Sequence, residues 1–409
     1  MKILCIHQGF PGQFQHLIPR LTDIGHELYL ISNTCNSKRV TNGINFFPYH
    51  LERGNTFDIH PLVHELESKV IRGEAVAKQA SLLRQKSFHP DLILGHPGWG
   101  EMLFLADIWP EIPQMHYVEF FHGVPGTDND FHDRFSHSLE WPDRAKARMK
   151  NANHLTNLNQ MTCGITPTKF QHSVLPDWAQ NRTHVIHDGI DTNWLRPDPN
   201  AFLQIAQTKM LKAGDPVITF VNRTYEPYRG IHIFLEALAK VQVLHPSAQA
   251  VMVGADTPKV SYGANRNDDI GWLTAMRKEL GTTLDWTRIH PLGLVPHDTL
   301  RKVFQVSAVH VYLTYPFVLS WSLMEAMSCG ALIIGSATAP VEEMVQHEKN
   351  GLLVPFTCAD ELAKLIYTAI QKQDRMISLR QNARILIKQK YDLQKCIQSQ
   401  INLVESFIT

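Results

Sequence analysis

The sequence predicts an α/β protein built from two successive domains, each a parallel sheet covered by helices. Three observations point there. The chain has 409 residues, which is long for a single hydrophobic core. Short apolar runs alternate with longer segments whose apolar residues recur every three or four positions, the pattern of strands joined by crossover helices. That pattern stops at Pro197-Asp198-Pro199 and then begins again.

The first half opens with Lys2-Ile3-Leu4-Cys5-Ile6-His7, which reads as a buried parallel strand. A turn at Gly9-Phe10-Pro11-Gly12 follows, and Phe14, Leu17, Ile18 and Leu21 recur at helical spacing. Gly25 ends that helix and residues 27–31 form the next strand. A helix is predicted over 61–86, a strand at 91–95, a helix over 100–107 and a strand at 114–118. Residues 123–142 are polar and aromatic and read as a loop, and long loops in compact domains are often functional. A helix over 143–151, strand-like pieces at 155–157 and 164–167, and Val185-Ile186-His187 before the turn Asp188-Gly189 complete the half. Proline stiffens the joint at 197–199 and forbids regular structure there.

The second half predicts strands at 217–221, 250–254, 289–291, 309–313 and 331–335. Helices are expected over 231–244, 272–280, 297–306 and 320–329, with a polar loop over 255–270. The segment 359–409 is helical with breaks near Gln373 and Tyr391. The domains are placed at 1–195 and 196–390, with the last helix, 391–409, expected to pack back on the first domain.

Composition narrows the function. Lys plus Arg equals Asp plus Glu at 39 each, without the basic excess of a dedicated nucleic-acid binder. The six cysteines are scattered with no C-x-x-C pair, so neither a zinc site nor a disulfide framework is expected. The 22 histidines show no H-E-x-x-H pattern. No stretch is long and apolar enough to span a bilayer, and the opening apolar run is too short for a signal peptide. A cytoplasmic protein is expected. The series Lys69, Arg72, Lys78, Arg84, Lys86 and the series Arg144, Lys146, Arg148, Lys150 read either as solvated helix faces or as peripheral contacts with anionic lipid.

The window 315–330 carries the most chemistry. A strand ends at Leu313, a loop follows, and a helix begins near Ser320. Its free N–H groups and positive dipole end suit a diphosphate. Glu325 sits one turn in, where a carboxylate can accept hydrogen bonds from ribose hydroxyls. Ser322-x-x-Glu325 equally matches a purely structural capping box.

Here the chain resembles a known family. Glu325-Ala326-Met327, Cys329-Gly330, an apolar strand and Asn350-Gly351-Leu352-Leu353-Val354 are similar to the C-terminal signature of family-4 retaining glycosyltransferases. Asn222-Arg223 with Arg229-Gly230, Gly293-Leu294-Val295-Pro296, His187-Asp188-Gly189-Ile190-Asp191, Gly12 with His16, and Gly25-His26-Glu27-Leu28 agree in order. The resemblance implies the GT-B fold, two Rossmann-like domains facing each other across a deep cleft. It implies a hexose moved from a UDP- or GDP-sugar to a hydroxyl of a glycan, lipid-linked or small-molecule acceptor, with retention and without a metal or other cofactor. Arg223 and Arg229 would hold the donor diphosphate, and the backbone N–H groups of Ser320, Trp321 and Ser322 the distal phosphate. Glu325 would hold the ribose and Val295 would lie beside the base. Gly12 would let its loop approach phosphate or acceptor.

The sequence departs from that pattern in three places. Arg229 stands where the family usually has Lys. Phe317 stands where an earlier glutamate normally meets hydroxyls of the donor sugar. Glu119, with His122 nearby, stands where an N-terminal His is expected, so His16, Glu119 and His122 are the candidates on the acceptor or sugar side. Asp128-Asn129-Asp130 and Asp268-Asp269 resemble metal motifs only superficially. Other readings are a nucleotide-sugar epimerase, a phosphorylase-like enzyme of the same fold, or, given Phe317, a non-catalytic nucleotide-sugar binder. A dehydrogenase is disfavoured because no G-x-G-x-x-G follows the first strand.

Overall fold

The computed structural model describes residues 1–35, 43–135, 140–206 and 209–407. The chain divides into two compact units. Unit 1 comprises 1–130, 138–189 and 394–409, and unit 2 comprises 131–137 and 190–393.

Unit 1 is built on a seven-stranded sheet. Its order is Ile44–Pro48, Glu27–Ser32, Lys2–Ile6, Leu92–Gly95, Gln114–Tyr117, Cys163–Thr166 and Thr183–Val185. Every pairing is parallel. The central strands read as unbroken apolar runs because helices cover both faces. Leu4, Ile6, Ile93, Val76, Ala80 and Trp109 form the core beneath the helix His64–Gln85. Strand order reverses between Lys2–Ile6 and Leu92–Gly95, so successive loops leave in opposite directions there. That opens a crevice at the carboxyl edge, the usual ligand position in doubly wound sheets.

Several expectations change. The helix predicted over 143–151 runs from Trp141 to Gln160 and absorbs the strand expected at 155–157. Its inner face is polar: Asn153 Nδ2 donates to Pro97 O at 2.8 Å and Asn157 Nδ2 to Asn153 O at 2.8 Å. Asn151 pairs with both backbone groups of His122. Satisfied asparagines replace the apolar stripe that marks a buried helix face. The helix expected over 100–107 shrinks to Leu105–Ile108. The edge strand Ile44–Pro48 is largely exposed and lacks the alternation that would have announced it. Cations of the first basic series are engaged within the unit. Lys78 pairs with Glu52 and Glu74, and Arg72 and Arg84 donate to the carbonyls of Ser68 and Ile108.

Unit 2 carries a six-stranded parallel sheet ordered Ile289–Pro291, Gln249–Ala255, Val217–Thr224, Val309–Tyr312, Leu332–Ser336 and Leu352–Val354. An antiparallel hairpin of Phe202–Ala206 and Lys209–Lys212, absent from the expectations, follows the 197–199 joint. Strand order reverses between Val217–Thr224 and Val309–Tyr312.

The division departs from the expected 1–195 and 196–390 in two respects. The chain passes from unit 1 to unit 2 at Gly189–Ile190, before the proline joint. Residues 131–137 of the long loop belong to unit 2. There Arg134 pairs with Glu236 and Glu279 at 2.9 Å each, and Asp133 Oδ2 lies 3.2 Å from His232 Nε2. Phe131 packs on Tyr315 and Phe356, and Phe135 on Trp272. The last helix, Leu393–Glu405, belongs to unit 1 from Gln394 on, where Gln400 Nε2 donates to His187 O at 3.2 Å. Among the described residues no helix is long and apolar enough to cross a membrane.

Gly230 fixes how the first helix of unit 2 leaves its sheet. It caps the helix Ile231–Leu244 with φ +69°, and a Cβ there would lie 2.7 Å from Leu313 Cβ. Gly230→Ala is expected to cost about 1–3 kcal/mol through strain and overpacking. A lowered urea midpoint with unchanged slope checks it.

Candidate active site

The carboxyl edge of the unit 2 sheet gathers most of the predicted donor-side residues. Arg229 lies in a short turn before the helix Ile231–Leu244 and is only 4% exposed. A buried guanidinium needs partners for its fixed fork of donors. Nη1 donates to Thr314 Oγ1 at 2.7 Å and to Tyr312 Oη at 3.3 Å, and Nη2 to Val318 O at 3.0 Å. Its carbon sits 5.1 Å from the Tyr262 ring centroid, within cation–π range. Arg229 is thus built into the edge. Arg223, by contrast, is exposed at the end of Val217–Thr224 and has no hydrogen bond or ion pair among the described residues.

The loop 255–270 is brought to this edge by Glu226, which the sequence reading missed. Its buried carboxylate accepts from Thr224 Oγ1 at 2.5 Å, Ser261 N at 2.9 Å and Tyr262 N at 3.2 Å. Burial raises the Glu226 carboxyl, against the opposing pull of Thr224, the loop amides and Arg229. Tyr262 then meets Phe317 edge-on at 4.9 Å, and Tyr228 does so at 5.8 Å. Phe317 is buried in this aromatic cluster, so no carboxylate occupies the place of the earlier glutamate.

The helix Trp321–Ser328 begins as expected, but its first amides are already engaged. Ser320 is the N-cap, and its Oγ accepts from Ser322 N at 3.3 Å. The Ser320 amide donates to Tyr312 Oη at 2.8 Å. The capping reading of Ser322 with Glu325 is overturned, because the cap lies two residues earlier and Glu325 turns elsewhere. Glu325, 7% exposed, accepts at Oε1 from His297 Nε2 at 2.8 Å. His297 begins the helix His297–Gln305 and packs against Trp194, with ring centroids 4.7 Å apart. Val295, two residues earlier, is half-buried against the core and follows the left-handed Gly293. A cavity of about 260 Å³ nearby is lined by Gly254, Gly293, Tyr225 and Pro291, among others.

The unit 1 edge has its own polar constellation. Three of its loops open with a His-x-Gly turn, and in each the glycine amide donates to the histidine Nδ1. The pairs are Gly9 with His7 at 3.1 Å, Gly98 with His96 at 3.1 Å and Gly189 with His187 at 2.9 Å. An Nδ1 that accepts leaves the proton of the neutral ring on Nε2. His7 Nε2 accordingly donates to Gln13 Oε1 at 2.9 Å, and Gln13 Nε2 donates to Glu119 Oε1 at 3.3 Å. Glu119 Oε2 stands 3.7 Å from His96 Nε2. The repeated His-x-Gly pattern was visible in the sequence and went unread. Gly12 has φ +48°, and a Cβ there would lie 2.1 Å from the His7 ring, so its smallness makes room for His7.

Of the three acceptor-side candidates, Glu119 joins this relay. His16 is the N-cap residue of Leu17–Asp23, without a capping bond. His122 lies in a separate buried group, 3.9 Å from Asp128 and facing His154. Asp128 is therefore a buried partner of a histidine, and Asp268 pairs with Arg266. Among the described residues no group of three or more His, Cys, Asp or Glu is arranged to hold a metal.

Comparison with known proteins decides the family. A model of the glycosyl transferase family 4 group matches residues 24–195, and one of the glycosyl transferases group 1 matches residues 204–386. The chain belongs to the family-4 glycosyltransferases. The putative glycosyltransferase YtcC of Bacillus subtilis is 24% identical over 212 residues, 50% of each chain. A phosphatidylinositol N-acetylglucosaminyltransferase component of Arabidopsis thaliana is 23% identical over 218 residues, 53% of this chain and 42% of that one. The chain thus spans about half the length of the curated relatives it matches. The fold is GT-B. Sucrose-phosphate synthase from Thermosynechococcus elongatus superimposes with a TM-score of 0.74 at 17% identity, covering 100% of this chain and 99% of that one. Anabaena HepE in complex with UDP gives 0.69 at 17% identity, covering 99% and 100%.

Burial gives unit 1 a marked acid sensitivity. It pushes His7 and His187 down to about 4, the former helped by His96, and His116 and His122 down to about 3, with neighbouring cations adding to both. These histidines are neutral when folded and titrate at the ordinary value when unfolded. The unfolded chain therefore binds more protons at pH 4–6.5, and stability falls as pH drops through that window. Each contributes up to about 1.4 kcal/mol per pH unit. Urea midpoints at pH 7, 6 and 5 should decline steeply, and His116→Phe should shallow the slope by about one proton.

Proposed function

We propose that the protein is a retaining, metal-independent glycosyltransferase that moves a hexose from a UDP-sugar to a hydroxyl acceptor. The observation that carries this reading is Glu325. Its nearly buried carboxylate lies one turn inside the helix at the switch point of the unit 2 sheet and is oriented by His297. A carboxylate so held suits two ribose hydroxyls, which would take its remaining lone pairs. UDP is favoured over GDP because HepE, of the same fold, was solved with UDP and with UDP-glucose.

In the proposed reaction the acceptor oxygen bonds to the sugar C1 while the C1–O bond to the β-phosphate breaks. UDP departs, and its β-phosphate oxygen takes the hydroxyl proton. The nucleotide gains negative charge, so catalysis is largely electrostatic. Arg223 is the exposed cation that reaches the diphosphate. Arg229 supplies fixed positive charge and shapes the loop through Tyr312, Thr314 and Val318. The dipole of Trp321–Ser328 adds to this once the Ser320 cap gives way to phosphate. Val295 borders the base. Phe317, Tyr228 and Tyr262 replace the hydroxyl-binding glutamate with an aromatic wall, which favours a donor sugar that presents C–H groups there.

Phe317 also motivates a second reading, a nucleotide-sugar binder without turnover. Both are tested by thermal shift with UDP, UDP-glucose, GDP and GDP-mannose in EDTA, followed by assay of UDP release. UDP and UDP-glucose are expected to stabilise the wild type. Glu325→Ala should weaken that binding about 10- to 100-fold, the loss of charged hydrogen bonds, and Arg223→Ala should do so with stronger salt dependence. Binding without UDP release over an acceptor panel would select the second reading. Stabilisation by no nucleotide, or only with added metal, would overturn the first.

A further inference from the structure

The unit 2 sheet has a second edge, opposite the one that gathers the donor-side residues. Gly214, Ser307 and Gly330 each lie just before a parallel strand, at Val217, Val309 and Leu332, and so mark the amino edge. They line a cavity of about 510 Å³ together with Ile377, Arg380, Gln381 and Arg384, one face of the helix Ile377–Lys390. A second cavity of about 460 Å³ shares Pro197, Asp198 and Gln305 with the first and adds Arg196, Arg301 and Lys302. Each has the size that holds a small molecule.

Charge is unbalanced here. Arg196, Arg301, Lys302, Arg380 and Arg384 line the two cavities against one acid, Asp198, whose Oδ1 accepts the Asn200 amide at 2.9 Å. Asp298 holds Arg301 at 2.7 Å and stands 3.9 Å from Lys302. Among the described residues Arg196, Arg380 and Arg384 form no ion pair. The two helical arginines are fixed by carbonyls instead. Arg380 Nε donates to Gly330 O at 2.7 Å and Nη2 to Ser307 O at 2.9 Å. Arg384 donates to Leu195 O and Thr192 O at 3.1 Å each and also to Ser328 O. Ser307, Ser328 and Gly330 lie at or just past the ends of the helices His297–Gln305 and Trp321–Ser328, and each helix end supplies about half a negative charge. With Asp198 included, three guanidiniums still leave an excess of about one positive charge. Burial holds the Arg380 guanidinium below its ordinary range. Burial does the same to Arg384, with Arg196 adding and Cys329 opposing. Arg380 Nη1 and the whole Arg196 side chain keep their donors unspent. The facing wall is apolar: Pro197, Pro199, Ala213 and Ile377, the last 47% exposed.

We propose that this amino-edge cavity is a binding site for an organic phosphate, with the anion between Arg196 and Arg380 and the apolar part of the ligand against Ile377 and the two prolines. Guanidinium N–H groups match phosphate oxygens in pairs. Arginines already pinned by carbonyls lose little freedom when the anion arrives, which favours binding. Inorganic phosphate alone would leave the apolar wall uncovered. The site lies across the sheet from Glu325 and does not rest on the functional reading above.

The test is isothermal titration of the full chain with phenyl phosphate, with inorganic phosphate and benzyl alcohol as its two halves, repeated in saturating UDP. The wild type is expected to bind phenyl phosphate about tenfold more tightly than either half, with UDP changing that affinity less than twofold. Arg196 and Gln381 are exposed and their side chains have no partners, so substitutions there spare the fold. Arg196→Ala should weaken binding about fivefold, Gln381→Glu should weaken it and Gln381→Lys tighten it by about three- to fivefold, all with unchanged urea midpoints. Phosphatidic acid vesicles that co-sediment the wild type but not Gln381→Glu would place the phosphate on a lipid, and no co-sedimentation would place it on a free ester. No binding of phenyl phosphate, its displacement by UDP, or equal affinity in Gln381→Glu and Gln381→Lys would each overturn the proposal. Failure of UDP itself to bind would overturn the donor-site reading instead, and the Gln381 pair would still decide this one.

Discussion

A guanidinium cannot be buried without partners, and that requirement organises the unit 2 edge. Arg229 is nearly inaccessible, so each donor it turns inward needs an acceptor. Thr314 and Tyr312 supply hydroxyls and Val318 a carbonyl, which fixes the course of the loop between the strand Val309–Tyr312 and the helix Trp321–Ser328. Tyr312 then does a second job, accepting the Ser320 amide and so setting where that helix begins. Helix start determines where Glu325 lies, one turn later, and hence its meeting with His297. On the other side, Tyr262 covers the guanidinium because Glu226 ties down its backbone. One buried cation thus couples two loops and a helix terminus. Lysine, the residue the family pattern leads one to expect, carries its donors on one nitrogen and lacks the planar fork whose two nitrogens meet these acceptors.

Unit 1 solves the same problem with neutral groups. Parallel strands buried on both faces end abruptly in polar loops, and the loop backbone needs local partners. Three times the chain places a histidine after a strand and lets its Nδ1 accept the amide two residues on. The ring substitutes for water, and the choice of acceptor nitrogen settles which nitrogen donates onward. Burial keeps the His7 and His187 rings neutral across the physiological range and makes the unit vulnerable to acid.

Much of this was legible from the amino-acid order. Strands such as Lys2–Ile6 and Val309–Tyr312 were readable because burial on both faces forces unbroken apolar runs. The helix Trp321–Ser328 was readable from its position after a strand and a loop. What escaped was whatever depends on partners distant in sequence. Trp141–Gln160 buries asparagines whose acceptors are carbonyls some 55–60 residues away, so no apolar period betrayed it. Glu226 went unread because the amides that bind it lie 35 and 36 residues on. Tyr312 lay inside an expected strand, and nothing in the sequence marked that its hydroxyl works at the edge while its ring packs in the core. Segment 131–135 sat inside the stretch read as a long loop, but its affiliation with unit 2 rests on Arg134, Asp133 and two phenylalanines finding partners more than 90 residues away.

Two of the three departures from the family pattern, at 317 and 119, are better understood together. At 317 a carboxylate is replaced by an aromatic ring, and at 119 an imidazole is replaced by a carboxylate. Neither is a passive loss. Phe317 is locked between Tyr228 and Tyr262, an environment that would penalise an unpaired acid at that place. Glu119 is locked between Gln13 and His96, an environment that would leave an imidazole facing donors from two sides. Each neighbourhood is thus adapted to the residue it holds, so reverting one position alone would restore the family residue without restoring its surroundings.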